Sequence, residues 1–162
     1  MWTIFLDFDG VINRGPGRPA DKASVANLNA ITNQTKAGIV VHSSWRWSRS
    51  LETLRTILKG WGVKGEVLDA CDTPPGEMWH GQIWIPGDTY AEWQGDIASS
   101  DERAVAIQRW LNAHPEVTRY VILDDCSKLG HFVGSPAFIR THGGTGLTER
   151  DAERAVRWLR GA

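Results

Sequence analysis

Three apolar runs along this chain each stop abruptly at a polar residue. Trp2-Thr-Ile-Phe-Leu6 ends at Asp7, Gly38-Ile-Val-Val-His42 ends at Ser43, and Tyr120-Val-Ile-Leu123 runs into Asp124-Asp125. Short runs rich in β-branched and aromatic residues predict strands buried on both faces. A third, weaker strand is predicted at Glu66-Val-Leu-Asp69 and a further one near Ala137-Phe-Ile-Arg140. Between them the apolar period changes to that of a helix. Residues 24–32 carry Val25, Leu28 and Ile31, with Ser24 as the expected N-cap; a second helix carries Leu51, Leu54, Ile57 and Leu58 and is expected to stop at Gly60. Residues 101–113 place Ala106, Ile107, Trp110 and Leu111 on one face before His114-Pro115 ends the pattern. The last helix opens with a capping box, Thr148-Glu-Arg-Asp151, and continues through Ala152, Ala155, Val156 and Leu159.

Strands alternating with helices predict an α/β fold: an open, mostly parallel five-stranded sheet flanked by helices. Sheets of this kind bind ligands beyond the carboxyl ends of their strands. Asp7, Ser43 and Asp124-Asp125 all stand at such ends, so three strand ends present polar groups toward one edge. Residues 72–100 break the alternation. Prolines and glycines there are interleaved with Trp79, Trp84, Tyr90 and Trp93, which suggests an irregular aromatic insertion containing a short hairpin, with no large cap domain.

Composition adds boundaries. A chain of 162 residues fits one domain, 1–162, and its net charge of −1 creates no global field toward nucleic acid or membrane. No apolar stretch approaches the ~20 residues of a membrane span. The N-terminal segment has neither a basic n-region nor a small-residue cleavage site, so no signal peptide is expected. Cys71 and Cys126 do not make a disulfide framework, and a reducing cytoplasm is the simplest expectation. Nine tryptophans are unusual, and six of them lie between positions 45 and 93. Indole rings stack on nucleobases but also fill cores, and packing is the expected role of each.

Asp7-Phe-Asp9-Gly10 carries the first candidate chemistry. Two carboxylates two residues apart, immediately past a buried strand, can project toward one pocket; the alternative is that they cap the next turn. A cation between them and a phosphate would offset their repulsion and leave one carboxylate usable as a nucleophile. The other can protonate a departing alkoxide and later activate water. Gly10 permits a sharp turn where a side chain would intrude.

With these residues in view, Phe5-Leu-Asp-Phe-Asp-Gly-Val-Ile-Asn13 resembles the first motif of the haloacid dehalogenase (HAD) superfamily. Val41-His-Ser-Ser-Trp-Arg46 and Tyr120-Val-Ile-Leu-Asp-Asp125 resemble its second and fourth motifs in order and spacing. The Ser-Trp-Arg signature, the Ile107–Leu111 helix and the Gly146-Leu-Thr148 tail are similar to the small HAD domains associated with RNA-repair proteins.

The resemblance implies a Rossmann-like HAD fold and a Mg²⁺-dependent phosphatase. It makes Asp7 the nucleophile and a metal ligand. Asp9 becomes the general acid/base and lends the metal its backbone carbonyl. Ser43 would bind the phosphoryl group, Asp125 the metal, and Asp124 would support the metal site from behind. The superfamily's third motif is normally a lysine, and no lysine lies between Lys64 and Lys128. Arg103 is the expected substitute, because a guanidinium bridges phosphate and carboxylate; the alternative is a solvated helix residue. Arg46 can either reach a substrate phosphate or form a surface salt bridge.

The other candidates stay structural. His42 is expected to be a packed core histidine, Cys126 has no histidine placed to activate it, and His80, His131 and His142 lack zinc-type spacing. Gly143-Gly-Thr-Gly146 lacks the P-loop lysine and reads as a plain loop. A site without a large cap points to a phosphorylated substrate such as a nucleotide or nucleic-acid terminus. Two competing readings are a dehalogenase, which would have no use for Asp9, and a non-catalytic HAD-fold module that binds phosphate or nucleic acid.

Overall fold

The computed structural model describes residues 1–71, 77–79, 82–84 and 102–162, with the backbone path alone given for 77–79, 82–84 and 102. Five strands form one parallel sheet: β1 (Trp2–Leu6), β2 (Gly38–Val41), β3 (Val67–Ala70), β6 (Arg119–Asp124) and β7 (Phe138–Arg140). Its spatial order is β3-β2-β1-β6-β7. Strands β4 (Glu77–Trp79) and β5 (Gln82–Trp84) pair antiparallel as a separate hairpin, which matches the short hairpin expected within the insertion. The rest of that insertion, including Tyr90 and Trp93, lies outside the described residues.

β1 is the central strand because it is apolar on both faces. Ile4 and Leu6 join a core formed with Val25, Leu28 and Ile31 of α1 (Lys22–Thr35), Leu54 and Leu58 of α2 (Leu51–Gly60), and Ala155 and Leu159 of α4 (Glu149–Arg160). Phe5 points the other way, onto Ala104, Ile107 and Trp110 of α3 (Glu102–Ala113) and Phe132. Ile4, Phe5 and Leu6 are fully buried, and each contributes roughly 1.5–3 kcal/mol by leaving water. This alternation is why a five-residue run without polar punctuation marks the middle of a covered sheet.

Two caps differ from the sequence expectation. Helix α1 begins at Lys22, and Asp21 is its N-cap, accepting from the Ser24 backbone N–H. Ser24 instead lies inside the first turn, its hydroxyl donating to the same carboxylate at 2.7 Å. Ser24 was the first cap-type residue before the apolar spacing, but the Asp21 carboxylate, three positions earlier, meets an N–H of the first turn with a full charge. Helix α2 includes Gly60, and the left-handed turn falls on Gly62 (φ 89°). The Thr148–Asp151 capping box of α4 is present as expected, with both reciprocal hydrogen bonds made. No described helix is long and apolar enough to cross a membrane. Cys71 is buried and Cys126 half-buried, and the two form no disulfide with each other.

Strand order reverses beside β1, since β2 and β3 lie on one side of it and β6 and β7 on the other. This switch point opens a crevice beyond the carboxyl ends of β1 and β6. Register then fixes what faces it. Leu6 pairs with Val41 and with Leu123, so Asp7 stands between His42 and Asp124 one step further on.

Candidate active site at the carboxyl edge of the sheet

Asp7 is held in place by the sheet: its backbone N–H donates to Leu123 O at 3.0 Å, although its side chain is already past the strand. That side chain is 2% exposed. One oxygen of Asp7, one of Asp124 and one of Asp125 all lie within 4.8 Å of one another. Arg103 reaches into this cluster from the first turn of α3. Its Nη1 donates to Asp7 Oδ2 at 3.1 Å and to Asp124 Oδ2 and Oδ1 at 3.0 and 3.2 Å. Arg103 is therefore no solvated helix residue.

Asp124 is fully buried and heavily bonded. Besides Arg103, it accepts from His42 Nε2 at 2.8 Å and from the Cys126 backbone N–H at 2.8 Å. Burial works against its charge, but the His42 hydrogen bond, the Arg103 guanidinium and the Cys126 amide outweigh that and hold its carboxyl well below the usual carboxylate range. Asp7 goes the other way. Burial first, and the Asp124 charge second, push it up to about 7, against the pull of Arg103, the Phe8 amide and the Ser43 hydroxyl. Asp125 is half-buried, and burial followed by the Asp124 charge raises it too. Among the described residues, three carboxylates thus share one guanidinium, which leaves the cluster short of positive charge.

A hard divalent cation fits that deficit. The donor set is all oxygen, as small hard cations require, and Asp7 and Asp125 are the two whose protons such a charge would displace. Gly10 leaves the room. It sits at φ 81°, and a Cβ there would lie 2.2 Å from Asp125 Oδ2. Thr141, the residue after β7, fixes the same turn by donating its hydroxyl to Gly10 O at 2.8 Å.

The remaining sequence candidates divide. Ser43 is fully buried, and its hydroxyl donates to the Asp7 carboxylate. Asp9 is not in the acidic cluster. Its carboxylate turns toward Asn13 and Trp45, accepting from Asn13 Nδ2 and Trp45 Nε1 at 2.9 Å each. Arg46 is 3% exposed, so it is not a surface group; its Nη1 donates to the carbonyls of His42 and Ser43 at 2.6 and 3.1 Å. There it braces the end of β2.

Three residues with a part in this site were not singled out for it. His42 is a buried histidine, as expected, yet its ring holds Asp124. Burial, aided by the Arg103 and Arg46 charges, lowers its pKa against the pull of Asp124, so it stays neutral with its proton on Nε2. Trp45 and Asn13 hold Asp9. The signal for His42 and Trp45 was present in their positions, one before and two after Ser43. Cys126 serves through its backbone amide, and its thiol exchanges hydrogen bonds with the backbone of Lys128. Gly143–Gly146 forms a turn closed by Gly146 N–H to His142 O at 2.7 Å, a plain loop.

With this geometry in hand, the comparison with protein families is informative. The family model described as "HAD domain in Swiss Army Knife RNA repair proteins" matches residues 3–152. The chain belongs to this family. No curated protein and no solved structure matches it. The match runs from β1 into the first turn of α4, so every residue of the candidate site falls within it, and it supports phosphohydrolase-type function in general terms.

Proposed function

We propose that this HAD domain is a Mg²⁺-dependent phosphomonoester hydrolase that works through an aspartyl phosphate on Asp7. The observation that carries the reading is the meeting of Asp7 with Arg103 at 3.1 Å and with Asp124 and Asp125 at the switch point of the sheet. A buried carboxylate short of positive charge, at the ligand-binding edge of an α/β sheet, is suited to act on a substrate that arrives with a cation.

The steps are these. An Asp7 oxygen attacks phosphorus, and the bond from phosphorus to the leaving oxygen breaks. Asp9 gives its proton to that oxygen, so the product leaves as an alcohol. Water then attacks the phosphoryl group while the Asp9 carboxylate takes a proton from it. The Asp7–phosphorus bond breaks and inorganic phosphate departs. Throughout, Arg103 and the Ser43 hydroxyl face the phosphoryl oxygens and stabilise their charge. Asp7, Asp125 and the Asp9 backbone carbonyl would hold Mg²⁺, which supplies charge neutralisation at the phosphoryl oxygens. Asp124, already saturated by His42, Arg103 and Cys126, supports the site from behind and keeps Arg103 aligned.

The substrate we infer is a nucleotide or a nucleic-acid phosphate end, which the RNA-repair description of the family supports. Purified protein should release phosphate from p-nitrophenyl phosphate and from 3′- or 5′-phosphorylated oligonucleotides with Mg²⁺. Asp7→Asn removes the nucleophilic oxygen and should abolish release; undiminished turnover in that variant refutes the mechanism.

One observation favours a second reading. Arg103 occupies an oxygen of Asp7, as it would in a module that binds phosphate without transferring it. Melting temperature with Mg²⁺ and beryllofluoride separates the two. A nucleophilic Asp7 should form a stabilised phosphoryl mimic, whereas a binding module should gain little.

A further inference from the structure

The two strands at the centre of the site leave the sheet in parallel, and each presents a polar group and then, two residues later, a second one. Asp7 and Asp9 follow β1, while Ser43 and Trp45 follow β2. The pairs meet in order, Ser43 on Asp7 and the Trp45 indole on Asp9. We propose that Trp45, together with Asn13, is a positioning residue that holds the Asp9 carboxylate by its two oxygens and so sets how well it protonates the leaving group. The proposal rests on the reading of Asp9 as general acid/base.

Both oxygens are engaged: Asn13 Nδ2 donates to Oδ1 and Trp45 Nε1 to Oδ2, each at 2.9 Å. Two donors on opposite oxygens fix the plane of a carboxylate as well as its rotamer. The donors are themselves immobilised. Asn13 is fully buried, and its backbone closes the turn after β1 through Gly10 N–H to Asn13 O at 2.9 Å. The Trp45 ring is wedged in a triangle with Phe8 and Trp61, with centroids 5.3–5.6 Å apart, and the Arg49 guanidinium lies 4.4 Å from its centroid. Ordering is thus complete in the folded protein, before substrate arrives.

The chemical identity of the holders matters too. An indole N–H donates and cannot accept, so Trp45 never competes for the proton that Asp9 carries. A carboxylate has about four lone-pair sites, so two N–H contacts leave room for that proton. A hydroxyl at position 45 would both donate and accept, and would compete.

The test compares Trp45→Phe, which keeps the packed ring and removes the N–H, with wild type on two substrates in Mg²⁺. p-Nitrophenolate departs without needing a proton, whereas the alkoxide of a nucleoside monophosphate needs one. W45F should lower the nucleotide-to-nitrophenyl ratio of kcat/KM by about tenfold, because an acid held loosely loses part of a contribution worth about 10²–10⁴. Equal losses on both substrates would reduce Trp45 to a packing residue and overturn the proposal. Asn13→Ala should shift the ratio the same way. If wild-type protein hydrolyses neither substrate, the hydrolase reading fails on its own account. The hold is then read from the ¹⁵N-indole spectrum, in which the Trp45 resonance, assigned by its loss in W45F, should move and exchange faster with solvent in Asp9→Ala. An unmoved resonance overturns the hold itself.

Discussion

His42 Nε2 lies 2.8 Å from Asp124 Oδ2, and both side chains are fully buried. This pair links the ends of β2 and β6 across β1, so it fixes the spacing of the crevice in which Asp7 stands. Because the imidazole is neutral, the contact is a hydrogen bond to a charged acceptor, worth about 1.5–3 kcal/mol. His42→Phe keeps the ring and removes the donor. Urea unfolding of metal-free protein should show about 2 kcal/mol less stability than wild type. An unchanged midpoint would mean that Arg103 and Cys126 satisfy Asp124 without it.

Arg103 bridges two carboxylates, and their charges raise its pKa against the effect of burial, so it is permanently cationic. Arg103→Gln should lower kcat by about 10²-fold, the usual effect of losing one donor from a developing charge. Arg103→Lys restores the charge in the form the resemblance leads one to expect and should recover part of that loss. Equal activity of the two variants would show that the charge at 103 does not act on the phosphoryl group.

Gly10 tests the cation site without replacing a carboxylate. A methyl at this position would force Asp125 Oδ2 away from 2.2 Å, and the left-handed φ of 81° adds strain of about 1–2 kcal/mol. Gly10→Ala should therefore weaken Mg²⁺ binding by about 10–100-fold in calorimetric titration, as other perturbations of a ligand's support do. Normal affinity in a folded G10A protein would place the cation away from Asp125.

Asp21 offers a pH signature outside the site. Its carboxylate accepts from the Ser24 hydroxyl and backbone N–H, and those bonds, aided by Arg14, hold its pKa below the ordinary carboxyl value despite some burial. A carboxyl lowered by folding adds stability that is present above its unfolded pKa and is lost as pH falls through the folded one. Asp21→Ala should thus cost about 1 kcal/mol at pH 7 and progressively less below pH ~4. A penalty that persists unchanged in acid would assign the effect to packing.

Much of this was legible along the chain. Uninterrupted apolar runs in β1, β2 and β6 announce strands covered on both faces, and their abrupt polar ends mark the edge that carries the site. Arg103 was accessible through the resemblance, which calls for a cation at the third motif and leaves this residue, at the start of the helix before the Asp-Asp strand, to supply it. The cap of α1 was misplaced by three residues because Ser24 and Asp21 are both cap-type residues. The hydrogen bonds, rather than residue preference, decide between them: Asp21 accepts from both the backbone N–H and the hydroxyl of Ser24.

By itself, then, the order of residues determined the layered α/β architecture, the strand ends and the chemical types gathered there, since these follow from hydrophobic period and local spacing. Only the tertiary structure decided which acid is buried and short of charge, which is saturated by donors, and which is turned toward an indole. Asp7, Asp124 and Asp125 are the same residue type, and what separates them is their surroundings. Those surroundings come from His42 and Arg103, 82 and 21 residues away from Asp124 along the chain, brought to it by the register of parallel strands and the docking of one helix.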